Sequence, residues 1–527
     1  MGRTLVQQEK QMTVESSTDA SCHPPLGWKS IDWTATRGQV RRLQMRIAKA
    51  VQLGKHRRAQ ALQWLLTHSR AAKLLAVRQV TTNPGAKTPG VDNVLWRTDR
   101  QKLQAAENLK RHGYRAQPLR RIYIPKKNGK LRPLSIPSLH DRAMQALYAL
   151  ALAPVAETRA DPHSYGFRQG RGCADALQHV FIVLSRRTSA TEVLEGDIHA
   201  CFDEISQPWL LTHVPMDKRV LRQWLTAGYW EKDQLFPTRA GTPQGGIASP
   251  ILANLALDGM QEVVRQAAPQ QADKVHFIRY ADDFIVTGAN RQILEQQVKP
   301  ALTAFLAQRG LVLSEQKTVT TSIQQGFNFL GHTVRKFGDT LLIRPAKSSI
   351  QALRDKIRLC FQSALGLSQE ALIRQLNPVL RGWANYYRNG AAKRTFVKLD
   401  HYVLRKVLGW TRRRHPHKPA SWREHKYFSA AGPKWEFSVR IRKAGGESRV
   451  LSLYRMSSTR IERHIKVKKA ANPYDPLYTD YFAKRRCFAW RVRSVRAKPA
   501  SPQARRPESL DRTAAARPHP GASVSEA

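Results

Sequence analysis

The sequence predicts an α+β fold, and two kinds of stretch point to it. Short apolar, β-prone runs face each other across tight turns at residues 276–288 and 119–134, the pattern of antiparallel hairpins. Longer amphipathic or apolar stretches, at about residues 30–76, 143–156 and 348–407, read as helices. Hydrophobic residues make up 42% of the 527. That is enough for real cores, and the length suggests roughly three or four domains.

In the first hairpin, Tyr280-Ala281-Asp282-Asp283 lies between His276-Phe277-Ile278-Arg279 and Phe284-Ile285-Val286-Thr287-Gly288, so two carboxylates stand at the tip of a rigid turn. Two-metal phosphoryl transfer needs carboxylates that hold a pair of Mg²⁺ ions roughly 3.5–4 Å apart. Taken alone, an Asp-Asp turn reads equally well as a solvated polar turn. A second acidic site changes that balance: Asp197 follows the apolar run Val193-Leu194-Glu195-Gly196 as if emerging at a strand end, with Phe202 and Asp203 just beyond. The second hairpin turns at Asn128-Gly129 and carries Lys126, Lys127, Lys130 and Arg132 on its tip and one face. Ala240-Gly241-Thr242-Pro243-Gln244-Gly245-Gly246 is a loop of glycines with a Gln able to hydrogen-bond, and a helix over residues 251–264 follows, with Ser249 placed to cap it.

Taken in chain order, these blocks resemble the motifs of reverse transcriptases. The resemblance implies a right-hand polymerase with fingers, an α+β palm and a helical thumb. It implies that Asp197, Asp282 and Asp283 coordinate two Mg²⁺ ions, with Mn²⁺ an alternative, which activate a primer 3′-hydroxyl and neutralise charge on a deoxynucleoside triphosphate. Phe202 falls where the family places a ring that clashes with a ribose 2′-hydroxyl. Gln244 belongs to the motif that supports the templating base and incoming nucleotide. Gly310-Leu311-Val312-Leu313-Ser314-Glu315-Gln316-Lys317 resembles the palm motif whose Lys approaches the leaving pyrophosphate, which makes Lys317 a candidate general acid or charge stabiliser. Lys130 and Arg132 match the fingers cations that embrace the triphosphate. Ser164-Tyr165-Gly166-Phe167-Arg168 resembles the next fingers block, and Gly326-Phe327-Asn328-Phe329-Leu330-Gly331-His332 the element that grips the primer end.

Outside the shared blocks, Leu376-Asn377-Pro378-Val379-Leu380-Arg381-Gly382-Trp383-Ala384-Asn385-Tyr386-Tyr387-Arg388 closely resembles the thumb, or domain X, of group II intron-encoded proteins, which binds intron RNA and helps it fold for splicing. Arg381, Trp383, Tyr386 and Arg388 are the RNA-binding candidates, although the spacing of Trp383, Tyr386 and Tyr387 also fits a core-facing helix stripe. The implied layout is a flexible N-terminus over 1–26, an N-terminal extension over 27–100, fingers and palm over 101–345, the thumb over 346–420, a small DNA-binding-like region over 421–486 and a disordered basic tail over 487–527. The 421–486 region resembles the one that leads into an HNH endonuclease in many members, but the His and Cys pattern of that nuclease does not follow here.

Composition agrees. Lys plus Arg number 88 against 39 Asp plus Glu, a formal net charge of +49. Such a field implies a polyanionic partner bound with strong salt dependence. The implied partners are intron RNA, an RNA template with a DNA primer, target DNA and deoxynucleoside triphosphates. No stretch is apolar for the ~20 residues that a membrane span needs. Five cysteines are scattered without a close pair, which fits a reducing compartment. The expected location is cytoplasmic, at the nucleoid in a bacterial host. Two other readings remain: an RNA-binding splicing cofactor with decayed polymerase activity, and a related reverse transcriptase in a host defence role.

Overall fold

The structure, a computed structural model, describes residues 27–125, 129, 131–428, 435–442 and 447–494, with side chains up to 486. Expectations for residues 1–26, for Lys130 and for the tail beyond 494 lie outside the described residues. The chain divides into two compact units after Pro476.

Helix α1 (Trp33–Gln52) starts at Asp32, whose carboxylate accepts the N–H groups of Thr34 and Ala35, satisfying donors that the first turn leaves free. Ser69 caps α3 (Arg70–Thr82), which follows α2 (His56–His68), and Thr98 with Gln101 forms a capping box on α4 (Asp99–Asn108). The hairpin β1 (Leu119–Pro125) and β2 (Leu131–Ile136) pairs antiparallel with Ile122 opposite Leu134. Helix α5 (Leu139–Arg159) contains the long apolar stretch and tolerates Pro154 inside it. Its Gln145 is buried because the side-chain oxygen accepts the N–H of Ile247 at 2.7 Å. The N-terminal helices and α5 share one continuous core with the rest of the fingers and palm.

Next come α6 (Cys173–Leu184), β3 (Glu192–Gly196), α7 (Cys201–Glu204), α8 (Gln207–His213), α9 (Lys218–Thr226), β4 (Tyr229–Glu231) and β5 (Gln234–Phe236). Strand β4 runs parallel to β1. The expected single helix over 251–264 is instead two, α10 (Ser249–Leu257) and α11 (Met260–Ala267). They break at Asp258-Gly259, where Gly259 takes φ +103, a backbone state open to Gly at little cost. Ser249 does not cap α10; its hydroxyl donates to the Pro243 carbonyl at 2.8 Å and so ties down the loop before the helix.

The palm sheet consists of β6 (His276–Tyr280), β7 (Asp283–Gly288), β3 and β8 (Val319–Ser322) in the order β6-β7-β3-β8, antiparallel throughout. Phe277, Ile278, Phe284, Ile285 and Val286 are all buried, so both sheet faces are covered, which explains apolar runs without alternation. α12 (Lys299–Ala307) precedes β8 in the chain. A three-stranded sheet of β9 (Phe327–Phe329), β10 (His332–Phe337) and β11 (Thr340–Pro345) leads into the thumb helices α13 (Lys347–Gln362), α14 (Gln369–Tyr387) and α15 (Lys393–Arg414).

The thumb has a separate core that includes Ile357, Leu376, Leu380, Phe396 and Trp410. Helix α16 (Ala420–Phe428) and the hairpin β12 (Ser438–Arg442) and β13 (Ser448–Ser452) add Tyr427, Phe428 and Phe437 to that core. The Gln369 amide donates to the carbonyls of Tyr427 and Ser438, both at 3.0 Å. Residues 461–474 then run as a strap over the earlier elements. Glu462 pairs with Arg388, and His464 Nε2 lies 3.0 Å from an Asp175 carboxylate oxygen that also accepts the Val467 N–H at 2.7 Å. Arg171 donates to the Ala471 carbonyl at 3.0 Å, and Arg41 of α1 to that of Pro473. In the second unit α17 (Thr479–Ser494) stays helical past position 487, where the sequence predicts the tail to begin.

Candidate active site

Asp197 leaves the end of β3, and its segment is held by the neighbouring one: Ser314 donates its N–H to the Asp197 carbonyl at 2.8 Å and His199 to the Val312 carbonyl at 3.0 Å. This pairing brings Lys317 Nζ to 2.6 Å from Asp197 Oδ2. The β6–β7 turn delivers Asp282 and Asp283 to the same cleft, and the turn closes because Ala281 takes a left-handed φ of +59. Gly196 is required beside it, since an added Cβ would meet the Phe284 ring at 2.1 Å.

The cleft has a volume of about 940 Å³, and Arg132, Phe167, Asp197, Phe202, Gln244, Asp282, Asp283 and Lys317 are among its lining residues. Seven of the eight residues predicted to do chemistry or hold nucleotide therefore share one cavity; the eighth, Lys130, is not described. Gln244 Nε2 donates to Asp203 Oδ2 at 2.9 Å. Phe202 stands edge-on to Phe167 with ring centroids 6.2 Å apart.

Burial pushes the Asp283 carboxyl up to about 6, and the nearby charges of Asp282 and Asp197 push the same way. Asp282 is raised by burial and by Asp197, against the pull of Arg132 and Lys317. The Asp197 hydrogen bond raises Lys317. Crowded, partly desolvated carboxylates call for a counter-charge, and hard oxygen donors suit Mg²⁺. No three His, Cys, Asp or Glu side chains among the described residues are set to hold an ion as they stand. The Asp set is open, with Lys317 paired to one member. An open set fits an ion that keeps several waters and takes phosphate oxygens as further ligands.

The predicted RNA-binding residues of α14 separate by environment. Arg381 is exposed, its guanidinium 4.9 Å from the Tyr454 ring centre. Tyr386 is exposed, and its hydroxyl donates to the Leu330 carbonyl at 2.9 Å. Trp383 packs against Tyr387 and Phe396. Arg388 is buried and paired with Glu462.

Sequence reasoning missed the residues behind the turn. Arg279 is fully buried, with Nη2 2.6 Å from Asp258 Oδ1 and Nη1 3.2 Å from Asn254 Oδ1. A signal was present: an Arg inside the otherwise apolar run before Asp282 is costly to bury unless something meets it.

Residues 124–334 match the family model for reverse transcriptase (RNA-dependent DNA polymerase), residues 28–109 that for the N-terminal domain of reverse transcriptase, and residues 350–428 that for the group II intron maturase-specific domain. Protein YkfC of Escherichia coli is 31% identical over 352 residues, which cover 55% of this chain and 90% of YkfC. Group II intron-encoded protein LtrA of Lactococcus lactis is 28% identical over 352 residues, 54% of this chain and 58% of LtrA. An uncharacterized 91 kDa protein in the cob intron of Schizosaccharomyces pombe is 26% identical over 415 residues, 63% of this chain and 51% of that protein. The chain thus spans little more than half the length of the latter two. With three successive family models matched in order around a cleft of three aspartates, the chain belongs to the group II intron reverse transcriptase/maturase family of RNA-directed DNA polymerases.

Proposed function

We propose that this protein extends a DNA primer along an RNA template in the Asp197–Asp282–Asp283 cleft and binds its intron RNA through the thumb to promote splicing and mobility. The observation that carries the polymerase reading is the convergence of those three carboxylates with Lys317 and Arg132 in one cleft. Asp197, Asp282 and Asp283 would hold two Mg²⁺ ions, or Mn²⁺, which supply charge neutralisation for the transferring phosphoryl group and lower the pKa of the attacking hydroxyl.

The chain's own cations complete the balance. Lys317, held at the carboxylates by its 2.6 Å bond to Asp197, is placed to give a proton or charge to the departing pyrophosphate. Arg132, and Lys130 two positions before it in the chain, meet the triphosphate in this reading. Phe202, braced by Phe167, leaves no room for a 2′-hydroxyl. Gln244 is oriented by Asp203, so its amide is presented in one direction to the nucleotide pocket.

On the thumb, the exposed Arg381 and Tyr386 are the RNA contacts of this reading. Trp383 and Arg388 shape the surface from behind, and the 421–486 stretch is the target-DNA contact of this reading. The test is primer extension on poly-rA/oligo-dT with Mg²⁺ and dTTP, wild type against Asp282→Ala. Extension by the wild type that disappears in the variant is expected. A soluble, RNA-binding wild type that extends nothing would leave a splicing cofactor without polymerase activity.

A further inference from the structure

Arg279 lies three positions before Asp282 and has no path to solvent. Its guanidinium reaches three partners. Two are side chains at the end of α10, Asp258 at 2.6 Å and Asn254 at 3.2 Å. The third is the carbonyl of Ala281, the left-handed residue of the catalytic turn, at 3.3 Å.

The backbone on either side is fixed as closely. The Arg279 N–H donates to the His163 carbonyl at 3.1 Å and its carbonyl accepts from the Tyr165 N–H at 2.9 Å. Gly166 presses on the turn so tightly that an added Cβ would sit 2.3 Å from the Ala281 nitrogen, and Asn254 donates to the Gly166 carbonyl at 3.0 Å. Asp161 accepts the N–H groups of Gly259 at 3.1 Å and of Gln261 at 3.2 Å, which fixes the break between α10 and α11 next to Asp258.

A fully buried ion pair is a poor source of stability, because desolvation offsets the attraction. Here Arg279 Nε and the second Asp258 oxygen have no hydrogen-bond partner among the described residues, which adds to that cost. What the pair delivers is geometry. A non-glycine residue at φ +59 is uncommon and persists where its surroundings over-determine it. Gly166 packs against the Ala281 nitrogen, and the guanidinium ties the Ala281 carbonyl to α10.

We propose that Arg279 is a positioning residue for the carboxylate turn, a buried strut that transmits the placement of α10 to Asp282 and Asp283 without meeting substrate. The proposal rests on the polymerase reading of the cleft. It implies that α10, which follows the Gln244 loop, and the metal-holding turn move as one body.

Primer extension on poly-rA/oligo-dT with the full chain tests it, using Arg279→Lys, which keeps the charge and loses the fork, beside wild type and Asp282→Ala. The expected result for Arg279→Lys is a circular dichroism spectrum like wild type, template–primer affinity and KM for dTTP within twofold, kcat at least tenfold lower, and half-saturating Mg²⁺ raised at least threefold. Asn254→Ser, which removes one brace on the guanidinium, carries the same expectation at smaller scale if Arg279→Lys does not fold. A folded variant with wild-type kcat and Mg²⁺ dependence overturns the strut. So does a kcat loss matched by equal loss of template–primer binding, the mark of general damage. Absence of extension by the wild type itself would instead overturn the polymerase reading.

Discussion

Phe202 shares the wall of the cleft with Asp197 and meets Phe167 edge-on, so its ring is fixed by a neighbour rather than free to swing aside. Phe202→Ala should therefore open space beside the nucleotide sugar. Discrimination between dTTP and UTP, measured as the ratio of kcat/KM values, should fall about tenfold or more, with template–primer binding unchanged. An unchanged ratio would make Phe202 an ordinary wall residue. At this scale the sequence was informative wherever chemistry leaves a local signature. Asp282 and Asp283 are adjacent in a turn, and Asp197 ends an apolar run. Arg279 was not legible as a strut, because its partners Asn254 and Asp258 stand 25 and 21 positions earlier and only the fold brings them together. The same holds for Arg388, which looks like an RNA contact in its motif until Glu462 is folded against it.

His163, just before the fingers block, and His179 of α6 form a pair with a pH consequence. The rings of His163 and His179 lie 4.2 Å apart. Burial, with Lys466 and Lys469, lowers His163 to about 4. Burial, with His163 and Lys466, lowers His179 to about 2. His276 and Arg171 also bear on His163, and the Tyr165 hydroxyl is 3.2 Å from His179 Nδ1. Both native pKa values lie below the ordinary 6.5, so the unfolded chain binds protons that the native state refuses. Stability is full above pH 6.5 and falls as pH drops below it, until the native groups titrate. At pH 5 each residue costs about 2 kcal/mol. Thermal melts should show a lower midpoint at pH 5 than at pH 7.5, and His179→Gln should remove up to about half of the histidine part of that drop. Element boundaries were less legible than element types. The apolar pattern runs across Asp258-Gly259, and the break is explained only by the fold, where Asp161 accepts the Gly259 and Gln261 N–H groups and Asp258 meets Arg279.

Over the whole molecule, the formal charge of +49 makes binding of structured RNA a counterion-release problem. Between 50 and 200 mM salt, affinity for a folded RNA should fall at least about 10³-fold, as filter binding would measure. A flat salt profile would rule out a broad phosphate-contacting surface. Fold class was legible at this scale because two hairpins and three helical stretches alternate along the chain. The strap was not, because its segment is polar and irregular, and its partners lie far back in the chain. Arg171 waits 300 residues for the Ala471 carbonyl, and Asp175 waits 289 for His464. At roughly 5–20 residues per second the fingers leave the ribosome about 15–60 s before the segment that closes over them. During that interval the nascent chain already exposes the cationic N-terminal helices to RNA, while Arg171 keeps Glu157 and Asp175 keeps the Gly172 N–H, each short of the contact that the later segment adds. A chain truncated before residue 461 should therefore keep its cationic N-terminal helices and lose the contacts that Arg171, Asp175 and Arg388 make to the strap.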